Sequence, residues 1–453
     1  MEYYKKRVLI VGLGKSGISA CRWLIRQGAD VTIGDIQPET ALNDELLSQA
    51  RGLGAKLEIG AHRTETFVSS EMIIVSPGVP LDIAPLKAAR EKKIPVIGEM
   101  ELASRLFDTP ILAVTGTNGK TTVVSLLESM IRGSGAKLFV GGNIGTPVMD
   151  YVLGERDADY VLLEVSSFQL DTMEHFRPEL SILLNISPDH LDRYSDYEAY
   201  VRSKISIFRN QGPGHYAILN DDDAELAAFH PEGGMSVLRY GMERKAHRNA
   251  YLEDRAIITF IPGKGKQYFD TMGFRLPGRH NLQNLMGTIL AGLALGLEPG
   301  IIQEAINNFK GLPHRLEVVG RVRGVEFYDD SKATNVESAV RSIESFDKPL
   351  ILIAGGRHKG ADYSPLVKAA EGRVKRAIFL GEAKNLMAAS FKNIIPFDLV
   401  DSMEDAVSQA FLKAEDNDVV LLAPACSSFD MFTDYSHRGE VFKEKAKSLE
   451  NGN

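Results

Sequence analysis

The chain has 453 residues, of which 44% are hydrophobic and 25% are charged, and its formal net charge is −8. This length is too great for one hydrophobic core and predicts roughly two to four domains. The acidic balance excludes a broad basic surface, so we expect no nucleic-acid partner and no attachment to an anionic membrane.

Cysteine content and apolar runs both indicate a cytoplasmic protein. The two cysteines, Cys21 and Cys426, are far apart in sequence, which fits a reducing compartment without a disulfide framework. The start KKRVLIVGLG resembles a signal peptide, but Lys15 interrupts the apolar run and no small-residue cleavage site follows. The longest uncharged apolar run, residues 285–297, is shorter than the ~20 residues that span a bilayer. We therefore predict a buried helix there and no membrane insertion.

Residues 1–98 are predicted to form a Rossmann-like domain. Polar helical stretches alternate with short apolar strands, which we place at 7–11, 31–33, 72–75 and 95–97. This βαβ rhythm predicts a largely parallel sheet.

A glycine-rich turn follows the first of these strands. Its sequence is Gly12-Leu-Gly14-Lys-Ser-Gly17, and Asp35 ends the next strand. Glycines here let the backbone and the helix N-terminus approach a pyrophosphate, and Asp35 can accept a bond from a ribose hydroxyl. The turn Ser76-Pro77-Gly78 ends another strand and could border the same ligand. The motif indicates a nucleotide diphosphate without specifying NAD; the alternative is tight strand–helix packing alone.

Residues 99–311 contain a second glycine-rich turn, in the stretch ILAVTGTNGKTTVVSLL at 111–127. A common P-loop has four residues between its first glycine and the Gly-Lys-Ser/Thr. Val114 stands where that glycine is expected, and Gly116 is two residues closer. The turn is therefore a shortened form of the phosphate-binding loop.

The residue types of this loop predict a triphosphate site. Gly116 and Gly119 permit close backbone approach, Lys120 can reach the β- and γ-phosphates, and Thr121 offers a hydroxyl to Mg²⁺. The alternative is a Gly-Asn turn that only begins a helix, but Gly-Lys-Thr between a strand and a helix is rarely without a ligand.

Candidate metal ligands follow the next two predicted strands. Glu164 lies in YVLLEVS, where a carboxylate is the usual partner of the loop threonine on Mg²⁺. The strand LSILLNI precedes Asp189, His190 and Asp192. A lone histidine is more often structural, but this strand-end position beside carboxylates favours a ligand.

Lys204 is ambiguous from its local sequence. It lies in a predicted helix, AYVRSKISIF, beside an apolar stripe formed by Ala199, Val201, Ile205 and Phe208. A lysine beside such a stripe is normally a surface residue whose stem covers the apolar side chains.

Residues 312–453 restart the α/β rhythm and are predicted to form a second Rossmann-like domain. The strand candidates are PLILIAGG, RAIFLG and DVVLLAPA, and Gly311-Leu312-Pro313 is a plausible hinge before them.

Taken in order, the motifs of this chain resemble the Mur ligases. The resemblance covers essentially the whole chain and rests on TGTNGKTT, LLEVSSFQL, NISPDHLDRY, LPGRHNLQN, GLPHRLE, DDSKATN and LLAPACSSFDMFTDYSHRG. It implies an α/β protein of three domains: a Rossmann-like domain for a UDP-linked substrate, a central P-loop-type ATPase domain and a Rossmann-like C-terminal domain. The shortened loop is this family's form and implies that ATP is used for ligation.

The resemblance also implies a reaction and its substrates. Relatives that add L-alanine or a diamino acid carry a histidine-bearing motif where this chain has DDSKATN. The implied activity is therefore ATP-dependent addition of D-glutamate to UDP-N-acetylmuramoyl-L-alanine (UDP-MurNAc-L-Ala), through an acyl phosphate, in peptidoglycan precursor synthesis. We expect these three small molecules as partners and a monomeric protein.

Site residues are implied position by position. The ATP-binding candidates are Gly116, Thr117, Asn118, Gly119, Lys120, Thr121, Thr122, Asn284, Arg315 and Asp330. The candidates for the UDP-linked substrate are Gly14, Lys15, Ser16, Asp35, Gly78, Asn143 and His190. Those for D-glutamate are Lys332, Thr334, Lys359, Ser428 and Tyr435. Two Mg²⁺ ions would be held by Thr121, Glu164, His190 and Lys204, with Lys204 as a carbamate (N6-carboxylysine), and the catalytic candidates are Lys120, His190, Lys204 and Lys332.

This chain departs from the family pattern at two places. Ile36 and Gln37 follow Asp35 where the family often has a hydroxyl and a basic residue, which leaves the uracil contacts open. Tyr435 stands where phenylalanine is frequent, and its backbone would serve equally.

Three other functions fit the sequence less well. A nicotinamide-dependent oxidoreductase built on Gly12–Gly17 leaves Lys120, Glu164 and the third domain without a role. A non-enzymatic nucleotide-binding module leaves the metal-ligand candidates without one. A folylpolyglutamate synthase is close in chemistry, but the first-domain fingerprint argues against it.

Overall fold

A computed structural model describes residues 2–189, 193–358 and 360–449 of the chain. They form two compact units. One contains the residues up to Thr271 together with Gln283–Ile306, and the other contains Met272–Leu282 together with the residues from Asn307 onward. The first unit carries two β-sheets and the second carries one. Across the described ranges, no helix combines the length and the apolar character needed to cross a membrane.

The first sheet is parallel throughout and has the order β3-β2-β1-β4-β5. Its strands are β1 (Arg7–Val11), β2 (Asp30–Asp35), β3 (Lys56–Ile59), β4 (Met72–Val75) and β5 (Val96–Gly98). Its helices are α1 (Lys15–Arg26), α2 (Asp44–Gly52), α3 (Thr64–Ser69) and α4 (Ala84–Glu91), with a 3₁₀ turn at Glu39–Ala41. The predicted parallel sheet is confirmed. The strand order reverses at β1, which is the position where open α/β sheets bind ligands.

The second sheet has nine strands, in the order β14-β13-β12-β11-β10-β9-β6-β8-β7. The strands are β6 (Ile111–Thr115), β7 (Leu138–Gly142), β8 (Tyr160–Glu164), β9 (Leu180–Leu183), β10 (Tyr216–Asn220), β11 (Ser236–Tyr240), β12 (Ala250–Glu253), β13 (Ala256–Ile261) and β14 (Gly265–Asp270). From β7 to β12 neighbouring strands are parallel, and the last three form an antiparallel meander. Val114 of β6 pairs with Glu164 of β8, so this carboxylate lies beside the start of the phosphate loop.

In the described part of the chain, eight α-helices accompany this sheet or follow it. They are α5 (Glu99–Ser104), α6 (Lys120–Gly133), α7 (Val148–Leu153), α8 (Ser167–Leu170), α9 (Tyr197–Ile205) with a 3₁₀ turn at Ser206–Phe208, α10 (Ala224–Ala228), α11 (Arg279–Ala294) and α12 (Pro299–Asn308). Leu285, Met286, Ile289 and Leu290 of α11 are completely buried, which confirms the buried helix predicted at 285–297 except for its end, because α11 stops at Ala294.

The third sheet has the order β15-β16-β20-β17-β18-β19, in which only the first pair is antiparallel. Its strands are β15 (Glu317–Val322), β16 (Val325–Asp329), β17 (Leu350–Gly355), β18 (Val374–Leu380), β19 (Phe397–Leu399) and β20 (Val419–Leu422). Its helices are α13 (Val336–Glu344), α14 (Ser364–Ala370), α15 (Lys384–Phe391), α16 (Met403–Lys413) and α17 (Tyr435–Ser448). Apolar cores cover both faces of the sheet, as expected for parallel strands that read as continuous apolar runs.

Candidate functional site

The shortened loop connects the C-terminal end of β6 to the first residue of α6. Gly119 precedes the helix with φ +88°, a conformation that favours glycine. A Cβ atom at this position would lie 2.6 Å from Oδ1 of Asn284, which α11 supplies. Glycine is therefore required twice, for the backbone conformation and for the approach of Asn284 to the loop.

The segment after β9 fixes the shape of this loop. Thr117 N donates to Asn185 O over 3.0 Å, and Asn118 N donates to Asn185 Oδ1 over 2.9 Å. The hydroxyl of Thr117 lies 2.9 Å from that of Tyr200 and accepts a bond from Ser187 N. Thr122 behind the loop is also buried. The sequence analysis missed Asn185, although its position after a strand next to SPDH is a usable signal.

Two lysines bond the same backbone oxygen of the loop. Lys120 Nζ donates to Gly116 O over 2.8 Å and to Thr117 O over 2.9 Å. Lys204 Nζ, from α9, donates to Gly116 O over 2.9 Å. Two lysine side chains therefore meet at one carbonyl of the loop, and Lys120 is a cation of the kind that binds phosphate oxygens.

Lys204 is 2% exposed, so the surface-lysine alternative is wrong. The buried face of α9 runs through Tyr200, Ser203 and Lys204, whereas Val201 and Ile205 are only partly buried. Burial lowers the pKa of Lys204 well below its usual value, and the charge of Lys120 lowers it further, against smaller effects of nearby carboxylates. An ammonium that is desolvated beside another cation gives up its proton more easily.

Glu164 ends β8, and its two carboxylate oxygens differ in their surroundings. The residue is 2% exposed, and its Oε1 accepts a bond of 2.8 Å from Asn143 Nδ2. Oε2 is buried and has no hydrogen-bond partner within the described residues. A buried, unpaired carboxylate oxygen is costly unless a cation occupies its free side. Carboxylate and hydroxyl oxygens are the ligands that Mg²⁺ prefers, so Glu164 with Thr121 fits such an ion.

Three predicted site residues lie outside the described part of the chain. They are His190, Asp192 and Lys359. Asp189, which is described, is partly buried and acts on the pKa of Lys204.

The first glycine-rich turn is held together by its own neighbours. Gly12 has φ +97°, and a Cβ there would lie 2.9 Å from the side chain of Ser76. Ser76 Oγ donates to Gly12 O over 3.0 Å. Asp35 Oδ2 accepts from Leu13 N at 2.8 Å and Oδ1 accepts from Gln37 N at 2.9 Å. Asp35 therefore braces the turn, and any bond to a ribose would use its remaining lone pairs.

The beginning of α1 remains open to a ligand. Gly14 is the N-cap residue and makes no side-chain cap bond, and a Cβ at this position would meet nothing within 4 Å. Lys15 is exposed and Ser16 is partly exposed. Backbone N–H groups at such a helix start attract anions.

A cavity of about 650 Å³ borders the turn that follows β4. Arg193 lines it, donates to Gly78 O over 3.0 Å and lies 4.7 Å from the ring centroid of Phe168. The remaining lining residues come from 76–90 and 168–195 and are Ser76, Pro77, Val79, Pro80, Leu81, Asp82, Lys87, Arg90, Asp171, Thr172, Tyr194 and Ser195.

In the second unit, Asp330 is buried and receives two hydrogen bonds. Its Oδ1 accepts from Leu316 N at 3.4 Å, and its Oδ2 accepts from the hydroxyl of Ser342. Burial raises the pKa of Asp330 to about 6, against the opposing effects of Ser342 and Arg315. The carboxylate thereby anchors the backbone next to Arg315.

His314, Glu317 and Asp329 have ligand atoms within 4.8 Å of one another, but their bonds indicate a structural network. His314 Nδ1 and Asp329 Oδ2 are 2.7 Å apart, and Glu317 Oε2 accepts from His314 N over 2.8 Å. Lys443 Nζ lies 3.3 Å from both carboxylate oxygens of Glu317. A lysine therefore supplies the cation that balances Glu317.

Lys332 and Tyr435, both predicted for D-glutamate, are in direct contact. Lys332 Nζ donates to Tyr435 Oη over 2.7 Å. Thr334 N donates to Lys332 O over 2.8 Å, which places Thr334 on the same turn. Ser428 is buried, and its carbonyl accepts from Met431 N and Phe432 N. The sequence analysis missed Arg438, which is 1% exposed and donates to Ser331 O over 2.8 Å.

Comparison with known proteins gives a consistent result along the whole chain. Three protein-family models match: "Mur ligase MurD-like, N-terminal domain" at residues 6–98, "Mur ligase middle domain" at 114–292 and "Mur ligase, glutamate ligase domain" at 314–426. The UDP-N-acetylmuramoylalanine–D-glutamate ligase of Geotalea uraniireducens is 42% identical over 452 residues, covering 100% of this chain and 99% of the relative. The enzyme of the same name from Desulfosudis oleivorans is 43% identical, covering 100% and 98%.

Solved structures share the fold at low sequence identity. The MurF ligase of Thermotoga maritima in complex with ADP has a TM-score of 0.62 and 17% identity, covering 100% of both chains. The UDP-N-acetylmuramate-alanine ligase MurC of the same organism has a TM-score of 0.58 and 18% identity, covering 98% of this chain and 99% of the other.

Proposed function

Because this chain belongs to the Mur ligase family, we propose that it joins D-glutamate to UDP-MurNAc-L-Ala in an ATP-dependent reaction of peptidoglycan precursor synthesis. One observation carries the ATP-dependent part: Lys120 and Lys204 bond one oxygen of the phosphate loop, and Glu164, paired with the strand that leads into this loop, has a carboxylate oxygen without a hydrogen-bond partner among the described residues. The choice of D-glutamate is supported by the full-length relatives of that name and by the DDSKATN motif.

Amide formation from a carboxylate requires activation, because oxide is a very poor leaving group. In the proposed first step an oxygen of the alanyl carboxylate attacks the γ-phosphorus of ATP, the bond to ADP breaks, and an acyl phosphate forms. The amine of D-glutamate then attacks the acyl carbon, the C–N bond forms, phosphate leaves, and the amine proton passes to a base. Both steps bring anions together, so catalysis consists mainly of positioning and charge neutralisation.

The cationic residues of the loop supply part of this neutralisation. Lys120 binds the β- and γ-phosphates once they displace its bonds to the loop carbonyls, and the loop N–H groups bind the remaining oxygens. Two Mg²⁺ ions would complete the site: Thr121 and Glu164 would hold the first, and His190 and Lys204 would serve the second. Such ions would neutralise phosphate charge and orient the phosphoryl group.

Lys204 acts in this proposal as a carbamate. Its burial and the neighbouring Lys120 favour the neutral amine, which is the form that attacks CO₂. The amine nitrogen bonds the carbon of CO₂ and a proton is released, so a cation becomes an anion with two oxygen atoms. These oxygens are suitable Mg²⁺ ligands, whereas an ammonium in the same place would repel the metal.

The other roles follow the sequence resemblance and remain proposals. Gly14, Lys15, Ser16, Asp35, Gly78, Asn143 and His190 bind the UDP-linked substrate; Asn284, Arg315 and Asp330 hold the nucleotide; and Lys332, Thr334, Lys359, Ser428 and Tyr435 bind D-glutamate. We assign these functions to domains at residues 1–98, 99–311 and 312–453, in a cytoplasmic monomer.

Release of ADP with defined substrates tests the proposal. The purified protein is incubated with ATP, Mg²⁺ and UDP-MurNAc-L-Ala, and D-glutamate, L-glutamate, L-alanine, L-lysine or meso-diaminopimelate is added in turn. We expect ADP and phosphate only when the UDP-linked substrate and D-glutamate are both present. ADP release that is independent of D-glutamate, or that is greater with another amino acid, would contradict the assignment. Nicotinamide reduction, monitored in parallel, should be absent.

A further inference from the structure

The hydroxyl of Tyr435 accepts a hydrogen bond from the ammonium of Lys332. The bond from Lys332 Nζ to Tyr435 Oη is 2.7 Å long, and the same nitrogen lies 4.1 Å from the ring centroid. Both side chains are partly exposed, so a ligand can reach the pair. A phenylalanine at 435 would keep the ring but not the hydrogen bond.

Tyr435 is a rigid point of attachment. It is the first residue of α17, whose N-cap Asp434 accepts a bond from His437 N. Its carbonyl accepts a 2.8 Å bond from the hydroxyl of Ser331, the residue before Lys332. Arg438, one turn into the helix, is buried and donates to Ser331 O. Two hydrogen bonds from side chains to backbone carbonyls therefore connect the start of α17 to the turn that carries Lys332.

The electrostatics of the pair are those of a charge-assisted hydrogen bond. The Lys332 ammonium is the main cause that lowers the pKa of Tyr435, and Arg315 acts in the same direction. When the phenol accepts one N–H of the ammonium, its own O–H remains available as a donor, as do two N–H groups of the lysine. These groups can donate hydrogen bonds to the two oxygens of one carboxylate.

We propose that the Tyr435 hydroxyl is a positioning group for Lys332 that sets the affinity for the incoming amino acid. A lysine has a flexible four-carbon stem, and the phenol holds its ammonium in one place before the ligand arrives. This inference rests on the proposed function, which assigns Lys332 to a carboxylate of D-glutamate. It adds that the hydroxyl, and not only the backbone of residue 435, contributes to this site.

Removal of the single oxygen atom tests the inference. In Tyr435→Phe we expect the KM for D-glutamate to rise about 5- to 10-fold, the scale of one lost hydrogen bond. The KM values for ATP and UDP-MurNAc-L-Ala and the thermal unfolding midpoint should stay unchanged. The matched control is Tyr328→Phe, which removes a hydroxyl from β16 in the same unit. An unchanged KM for D-glutamate in Tyr435→Phe overturns the inference.

A double-mutant cycle identifies the route by which the hydroxyl acts. Binding of D-glutamate is measured by calorimetry in the presence of UDP-MurNAc-L-Ala, Mg²⁺ and a non-hydrolysable ATP analogue, so that inactive variants can be included. If the hydroxyl acts through the ammonium, Tyr435→Phe has no further effect on binding in a Lys332→Met background. Fully additive losses contradict a positioning role. The proposed function itself fails in a different way, namely if ADP release by the parent protein does not require D-glutamate.

Discussion

Two glycine-rich turns in the first unit have the same local design and different surroundings. Each connects a buried central strand to a helix whose N-cap is a glycine, Gly14 in one case and Gly119 in the other. Around the first turn, the neighbouring strands contribute Asp35 and Ser76, and both bond the backbone of that turn. Both carboxylate oxygens of Asp35 accept hydrogen bonds from the backbone.

The second turn has a carboxylate and two lysines as neighbours. Glu164 has one buried oxygen that accepts no hydrogen bond from any residue the structure describes, and the buried Lys204 shares a carbonyl with Lys120. A glycine-rich turn thus indicates a phosphate, whereas the strand ends beside it decide whether the site only binds or also performs chemistry. In the proposed function the first turn therefore belongs to a binding site and the second to the catalytic site.

The largest effect on activity is expected from replacing the lysine of the second turn, and the lysine of the first turn provides the comparison. Lys120→Ala should lower kcat at least about 10²- to 10³-fold, because a cation is lost where transition-state charge develops. The affinity for UDP-MurNAc-L-Ala, measured by calorimetry, should be nearly unchanged. Lys15→Ala, in the first turn, is the matched variant and should weaken only the UDP-linked substrate. If Lys120→Ala lowers the affinity for UDP-MurNAc-L-Ala as strongly as it lowers kcat, the two turns do not serve separate ligands.

Replacement of Lys204 tests whether this buried residue acts as a carbamate in the reaction. Lys204→Ala should reduce activity about 100-fold, the upper range for loss of a group that supports a metal. Acetate in the assay should partly restore the rate, because its carboxylate can replace that of a carbamate. Solutions depleted of CO₂ should slow the parent protein. A near-active variant that does not respond to acetate would remove Lys204 from the site.

The two strand-end carboxylates should differ in their dependence on metal. In Glu164→Gln we expect the Mg²⁺ concentration for half-maximal activity to rise about 10- to 100-fold, because the amide replaces an anionic ligand. Asp35→Asn should leave that concentration unchanged. Instead, its unfolding free energy in urea should fall by about 1–3 kcal/mol, since the carboxylate bonds two backbone N–H groups. If the two variants require the same Mg²⁺ concentration, the proposed difference between Glu164 and Asp35 is wrong.

The smallest effect on catalysis is expected where the first sheet joins the second. Glu99 directly follows β5, and its Oε1 accepts a bond from Met149 N of α7. Burial raises the pKa of Glu99 to about 7, from an ordinary value of 4.5. A raised carboxyl pKa means that the folded state favours the protonated form. The contribution of Glu99 is therefore fully present below pH 4.5 and is lost as the pH rises to about 7.

Glu99→Gln should abolish this dependence. The difference in unfolding free energy, variant minus parent, should increase by about 2–3 kcal/mol between pH 5 and pH 8, because only the parent loses stability over this range. The kcat of the variant should equal that of the parent, because the substitution changes neither glycine-rich turn. Urea unfolding at several pH values measures this difference. A difference that does not change with pH would show that Glu99 titrates normally.

The sequence by itself determined the elements whose signals are local. The strands Arg7–Val11 and Met72–Val75 were predicted with their observed bounds, because an apolar run next to a glycine or proline turn is encoded within a few residues. Both glycine-rich turns and the buried helix at 285–297 belong to the same class. The antiparallel meander of β12–β14 was not predicted, because its short strands include polar residues and lie at a sheet edge.

Tertiary structure alone decided the orientation and pairing of the functional side chains. The local stripe of α9 indicates a solvent-exposed Lys204, yet its ammonium bonds an oxygen 88 residues away. Lys332 meets Tyr435 across 103 residues, and Asn185 fixes the loop at Asn118 across 67. Helical periodicity records only which residues share a face. Which face is buried, and which polar groups meet there, depends on strands and helices that the chain brings together from distant positions.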